Sequence, residues 1–292
     1  MELELKRGGR TARVETLGGE LVSYRDERGL EYIWGGDPAY WPGRNPLLFP
    51  IVGMLKEGKI RFDGREYAME RHGFARRREF TPAARGEDWV RLELRESAET
   101  LALYPYSFRL AVEQRLTDTG FSTAVTVANP GEGPLPFCLG AHTGFRCPLE
   151  AGERFEDYEL VFPERESCPT LLLRDGLLDR PAALPCLEDT DTLPLDYRWF
   201  DALDTLIFEG LRSRSVTLRS RKSGRGVRVS FDGFPMLAFW TMPGKKAPYL
   251  CIEPWHGCAA GTAEGPEFTD KAHCIVLAPG ESRTACPILS KR

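Results

Sequence analysis

No apolar run in the 292-residue sequence approaches membrane-spanning length, and Met1 to Arg10 lacks the apolar segment of a secretory signal. A cytoplasmic protein without a membrane partner is expected. Positive charge is not in excess either: 39 Lys and Arg stand against 43 Asp and Glu, a formal charge of −4. That leaves no electrostatic footprint for nucleic acid. None of the eight cysteines forms a Cys-x-x-Cys pair, and a reducing compartment keeps them as small buried thiols. Only Cys251, His256 and Cys258 cluster, at a spacing that matches no ligand pattern, so no metal is expected. Long helical stripes are missing as well. Nowhere does an i, i+3, i+4, i+7 apolar pattern persist, and 22 prolines would break it.

What the sequence has instead is alternation. Phe108, Leu110, Val112 and Leu116 share one face, interrupted only by Gln114, and Asp118-Thr-Gly120 turns the chain into Phe121, Thr123, Val125 and Val127. Hairpins are also expected at Lys59–Phe62 with Glu66–Met69, and at Val216–Leu218 with Val227–Phe231. Short apolar runs at Leu171–Leu173, Leu206–Phe208, Met236–Thr241, Tyr249–Ile252 and Cys274–Leu277 suit strands. The chain therefore reads as mainly β, with two large packed antiparallel sheets. No low-complexity linker or repeat divides it, so residues 1–292 are expected to form one domain.

Histidine is scarce, at four residues. His72 lies in Arg71-His-Gly-Phe-Ala-Arg76, His142 in Leu139-Gly-Ala-His-Thr-Gly-Phe145 and His256 in Glu253-Pro-Trp-His-Gly257. Each has Gly and an aromatic nearby, which suits close approach of a ligand and a ring against the apolar face of a sugar. A turn glycine beside a core aromatic gives the same pattern, so one motif alone does not decide. His273 lacks both neighbours and reads as structural. Glu253 interrupts the run Tyr249-Leu-Cys-Ile252 on the face of Tyr249 and Cys251. A carboxylate there is either a solvated strand end or a functional group. Asp204 and Arg44, taken singly, fit turn and loop positions equally well.

Asn45-Pro-Leu-Leu-Phe-Pro-Ile-Val-Gly53, His72-Gly-Phe-Ala-Arg76, Gly140-x-His142-x-x-Phe145, Asp204-x-Leu-Ile-Phe208 and Cys251-Ile-Glu-Pro-Trp255 occur in that order. With the tail Lys271 to Ser282, the sequence resembles the bacterial aldose 1-epimerases, or galactose mutarotase-like proteins, of the LacX-type branch. The resemblance implies a single-domain β-supersandwich, monomeric or homodimeric, that binds a monosaccharide in an open cleft and needs no cofactor. It also implies roles: Glu253 as general base, His142 as general acid, His72 as a second histidine at the ring oxygen, and Asp204 hydrogen-bonded to sugar hydroxyls. Together they would interconvert the α and β anomers of a free aldohexose by opening and reclosing the ring. An unperturbed imidazole, with a pKa of ~6.5, is mostly neutral at pH 7. Ionised Glu253 or Asp204 is therefore expected to raise His142.

Two departures bear on the sugar. Met54 stands where relatives usually carry arginine, and Arg44 is expected to supply a guanidinium from the preceding loop. His256 stands where tyrosine is common, and is grouped with Arg44 and Asp204 as substrate-binding. The alternatives are a carbohydrate-binding or regulatory protein without turnover, which Met54 keeps open, and a hexose-6-phosphate epimerase. For the latter, Arg71, Arg76, Arg77 and Arg78 form a basic patch around His72. A glycosidase using Glu253 and Asp204 would leave the histidines idle.

Overall fold

The computed structural model describes residues 1–291. Strand makes up 52% and helix 8%, in keeping with the alternation and the density of Pro and Gly. Arg109–Leu116 pairs antiparallel with Gly120–Ala128, Leu116 opposite Phe121. Leu110, Val112, Val125 and Val127 are buried, and so is Gln114. That polar intruder is satisfied: its Nε2 donates to Gly19 O (2.9 Å), and its Oε1 accepts from Thr123 Oγ1 (2.7 Å). The hairpins Lys59–Phe62 with Arg65–Ala68 and Ser215–Ser220 with Gly226–Ser230 form as the turn residues demand.

Hydrogen bonds join most strands into one 16-stranded sheet, so the two expected layers are halves of a continuous surface. The halves face each other: Val112 and Val125 from one, and Leu47 and Leu139 from the other, line a single small void. Apolar side chains from both fill the space between. Two elements go beyond the sequence reading, which had only Leu171–Leu173 of the second. Glu2–Arg7, Arg10–Glu15 and Glu20–Arg25 form a three-stranded sheet, and Tyr158–Arg174 with Leu177–Pro194 makes a long hairpin. That hairpin shifts register four times along its length, and each shift resets the alternation that would reveal it.

One part of the core positions the site. The Phe49 ring meets Phe74, Tyr104, Phe108 and Phe137 at centroid distances of 5.3 to 6.0 Å. Its carbonyl accepts the amides of Phe74 (3.0 Å) and Ala75 (3.2 Å), and Gly53 O accepts the amide of His72 (2.9 Å). The segments carrying Phe49 and His72, distant in sequence, are thereby held as one unit.

Candidate active site

Every residue of the strand Tyr249–His256 is buried. Two short strands pair with one of its edges, Leu139–Ala141 and Thr143–Arg146. Gly140 lies opposite Trp255 and Thr143 opposite Ile252. The register is unchanged across the gap, which puts His142 directly across from Glu253. Their side chains meet, His142 Nε2 lying 3.3 Å from Glu253 Oε1. Trp41 lies over the His142 ring at 4.9 Å, and Trp240 and His72 approach it edge-on, each at 5.6 Å. All five side chains line an open cavity of about 550 Å³, together with Asp204, Trp255, Met54, Arg71 and Arg76.

His72 is held by its backbone and its ring. Its φ is +67°, an uncommon conformation for a non-glycine residue. Gly53 N–H donates to His72 Nδ1 at 3.1 Å, which leaves Nε2 as the protonated nitrogen. Asp204 has φ +62° between the helix Tyr197–Leu203 and the strand Thr205–Glu209. Its Oδ2 accepts from Thr205 Oγ1 at 2.8 Å.

The electrostatics reverse one expectation. Burial pushes His142 down to about 3, helped by the positive charges of Arg76 and Arg71. Burial likewise pushes Glu253 well above the usual carboxylate range; the Trp255 indole opposes the rise and the Asp204 charge adds to it. A carboxyl group that is itself kept neutral has no charge with which to raise its neighbour, so desolvation governs both. The resting pair is a carboxylic acid beside a neutral imidazole. His72 is held well below its ordinary value by burial, then by His142, Arg76 and Arg71.

Two expected sugar-binding residues lie outside the cavity. Arg44 donates from Nε to Gly35 O (3.1 Å) and from Nη1 to Glu15 (3.4 Å). Its backbone carbonyl accepts from Gly144 N–H (2.7 Å), so it braces the strand after His142. The corner left by Met54 is occupied by Arg71 instead, whose Nη2 lies 2.8 Å from Met54 Sδ. His256 is on the opposite face of the strand from Glu253, where its Nε2 accepts from Arg283 at 3.2 Å. The sequence reading missed Trp41 and Trp240 as cavity walls. Nothing in their local pattern separates them from core tryptophans.

His256 has a structural consequence. Burial, and then the Arg283 charge, pushes it down to about 4. The unfolded chain therefore takes up a proton between about pH 6.5 and pH 4 that the folded protein refuses. This contribution to stability is complete above about pH 6.5 and is lost as the pH falls through that window. Wild type should lose stability faster on acidification than His256→Gln, by up to about 1.4 kcal/mol per pH unit in urea titrations. Parallel curves would contradict the assignment.

Cys251, His256 and Cys258 do not converge. Among the described residues, the group with close donor atoms is His142, Cys251 and Glu253, within 4.8 Å of one another. These donor types suit a cation such as zinc. Burial keeps both the Cys251 thiol and the Glu253 carboxyl protonated, and a cation would have to displace both protons.

The fold and the open cavity define a protein of galactose mutarotase-like architecture. A galactose mutarotase related enzyme from Lactobacillus acidophilus superposes with a TM-score of 0.95 at 27% identity, over 100% of this chain and 97% of that one. A galactose mutarotase-like protein from Lactobacillus casei gives 0.93 at 26%, covering 100% of both chains. The aldose 1-epimerase family model matches residues 1–290, and the plasmid-encoded protein LacX of Lactococcus lactis subsp. lactis is 42% identical across 96% of this chain and 95% of its own. The chain belongs to the aldose 1-epimerase family.

Proposed function

We propose that the protein interconverts the α and β anomers of an aldohexose with a free anomeric hydroxyl, and that His142 and Glu253 carry the protons. The supporting observation is the buried cross-strand contact between them, 3.3 Å long and open to the cavity. Ring opening needs a base at the C1 hydroxyl and an acid at the ring oxygen. Carboxylate and imidazolium are those groups, and they differ from the resting carboxyl and imidazole only by the position of one proton. Moving it across the contact generates the working form without uptake from solvent. Glu253 Oε2 is buried and has no hydrogen-bond partner of its own.

Glu253 then takes the O1 proton and His142 gives its proton to O5, while the C1–O5 bond breaks and C1 becomes an aldehyde carbonyl. This restores the resting proton distribution with the sugar open. Rotation about C1–C2 presents the other face, and reclosure reverses both transfers. His72 Nε2–H and the Asp204 carboxylate orient hydroxyls, and the Trp41 and Trp240 rings offer apolar faces to the sugar. The binding-only reading rested on a guanidinium missing at Met54. Arg71 now stands at that corner.

Polarimetry on freshly dissolved α-aldohexoses tests the activity: mutarotation faster than in buffer is expected, and no acceleration across a panel of sugars would defeat it. The pH profile tests the proton count. Burial holds His142 well below the ordinary histidine range and Glu253 well above the ordinary carboxylate range, so the pair keeps one proton between its two members. Activity per folded molecule should therefore be level between pH 7 and pH 5, and a limb near the ordinary histidine value of ~6.5 would contradict it.

A further inference from the structure

Anomer exchange leaves one nucleophile beside the reacting pair without a role, the Cys251 thiol. Cys251 lies two residues before Glu253 on the strand Tyr249–His256, hence on the same face, and is fully buried among Trp34, Tyr249, Trp41 and Trp240. Across the strand pair, His142 Nε2 stands 3.3 Å from Glu253 Oε1. The imidazole, thiol and carboxyl donor atoms all lie within 4.8 Å of one another, and no second such group occurs among the described residues. Bonds of about 2.0–2.3 Å to a tetrahedral cation put ligand atoms roughly 3.3–3.8 Å apart, so the three need to close by at most about 1.5 Å. Glu253 Oε2 has no hydrogen bond to give up as the carboxyl turns. His142 and Glu253 line the reaction cavity, which gives a cation its way in, and Cys251 lies behind them.

We propose that His142, Cys251 and Glu253 bind a thiophilic divalent cation, of which zinc is the type, and that the metal-bound protein cannot anomerise a sugar. The site stands on its own geometry; the block rests on the anomerisation reading. Ligand chemistry selects the cation. One nitrogen, one sulfur and one carboxylate oxygen are a zinc donor set, whereas magnesium and calcium take six or more ligands, all oxygen. Charge permits a dication here. On binding, the Cys251 thiol and the Glu253 carboxyl each release a proton to solvent, and the imidazole donates a lone pair from Nε2, the nitrogen facing Glu253. Thiolate and carboxylate then cancel the two positive charges, and the buried site is as neutral as before. That matters beside Arg71 and Arg76, whose charges act on His142 and would repel an uncompensated dication. The fourth position faces the cavity, where a water or a sugar hydroxyl completes the tetrahedron. With imidazole and carboxylate both committed to the metal, neither takes or gives a proton.

Cobalt(II) alone reports the site without any turnover. With its thiols kept reduced, wild type should take up one cobalt per chain and show the near-ultraviolet charge-transfer absorption of a cobalt–thiolate bond, and zinc should displace the cobalt. Cys251→Ser, or Cys251→Ala in case the serine variant misfolds, should lose that absorption and bind zinc more weakly by roughly tenfold or more. No charge-transfer absorption in wild type overturns the site. So does absorption that survives in both variants, because another cysteine is then the ligand. Zinc should also stop anomer exchange by wild type, competitively with the aldose and reversibly on chelation, and the Cys251 variant should need roughly tenfold more zinc or above. Equal inhibition of the two proteins overturns the block. A Cys251-dependent cobalt absorption in a wild type that turns over no sugar supports the site and defeats anomerisation. Turnover that zinc leaves untouched, with no cobalt absorption, does the reverse.

Discussion

Glu253→Gln is expected to lower kcat for anomer exchange by about 10²- to 10⁴-fold, the range that a positioned acid/base group supplies, with no loss of stability. The second half of that expectation makes the first interpretable. Because burial pushes the Glu253 carboxyl up, the folded protein holds a proton that the unfolded chain releases above its ordinary carboxylate value. Stability therefore falls as pH rises from about 4.3 toward the raised folded value. An amide of the same shape, neutral at every pH, removes that penalty. At pH 7 the variant should melt no lower than wild type, so that lost turnover reports lost chemistry and not unfolding. Exchange NMR and thermal melts on the same samples check both halves. A variant that keeps its turnover would remove Glu253 from the reaction.

Gly73→Ala is expected to destabilise the protein by about 2–5 kcal/mol. Gly73 has φ +70°, and a Cβ there would lie 2.2 Å from Phe49 O and 2.6 Å from Phe49 C. Both are backbone atoms, and that carbonyl is already committed to the amides of Phe74 and Ala75. The strain therefore falls on the clamp between the Phe49 and His72 segments. Gly210 is the control, with φ +78° and nothing within 4 Å of its Cβ. Gly210→Ala should cost only about 1–2 kcal/mol, the backbone part alone. Urea midpoints measure both, and similar losses in the two variants would show that packing at Phe49 is not the cause.

How much of this the sequence disclosed depends on what a period of two can report. It assigns residues to faces, which sufficed for the hairpin Arg109–Leu116 with Gly120–Ala128 and for placing Glu253 with Tyr249 and Cys251. The same parity separates Glu253 from His256: residues three apart on a strand point to opposite sides, so the placement of His256 on the buried face away from Glu253 was legible, although its Gly and Trp neighbours suggested a sugar contact. Alternation does not say which strand lies alongside. The pairing of His142 with Glu253 comes from a long-range register between residues 139–146 and 249–256, for which the sequence holds no local signal. The family motifs named both residues without supplying their contact.

Protonation was hidden for a related reason. The expected rise in His142 assumed an ionised neighbour in a wet cleft, and only the burial of Glu253, 1% exposed, shows that desolvation governs both groups. Loops were the least legible. Arg44, Arg71 and Arg76 all lie near family motifs, and no periodicity tells which guanidinium turns inward. The structure turns Arg71 and Arg76 toward the cavity and Arg44 toward Gly35 and Glu15.

The central claim is that a buried His142–Glu253 pair sharing one proton opens and recloses an aldose ring. Two-dimensional exchange NMR on an equilibrated aldose, neutral or phosphorylated, tests it most directly by reading the interconversion of the α and β anomeric protons at pH 7.0 and pH 5.5. The pair predicts exchange well above the buffer rate, equal at the two pH values for each folded molecule. Exchange no faster than buffer for every aldose tried, or a rate that tracks the titration of an ordinary histidine, would contradict it.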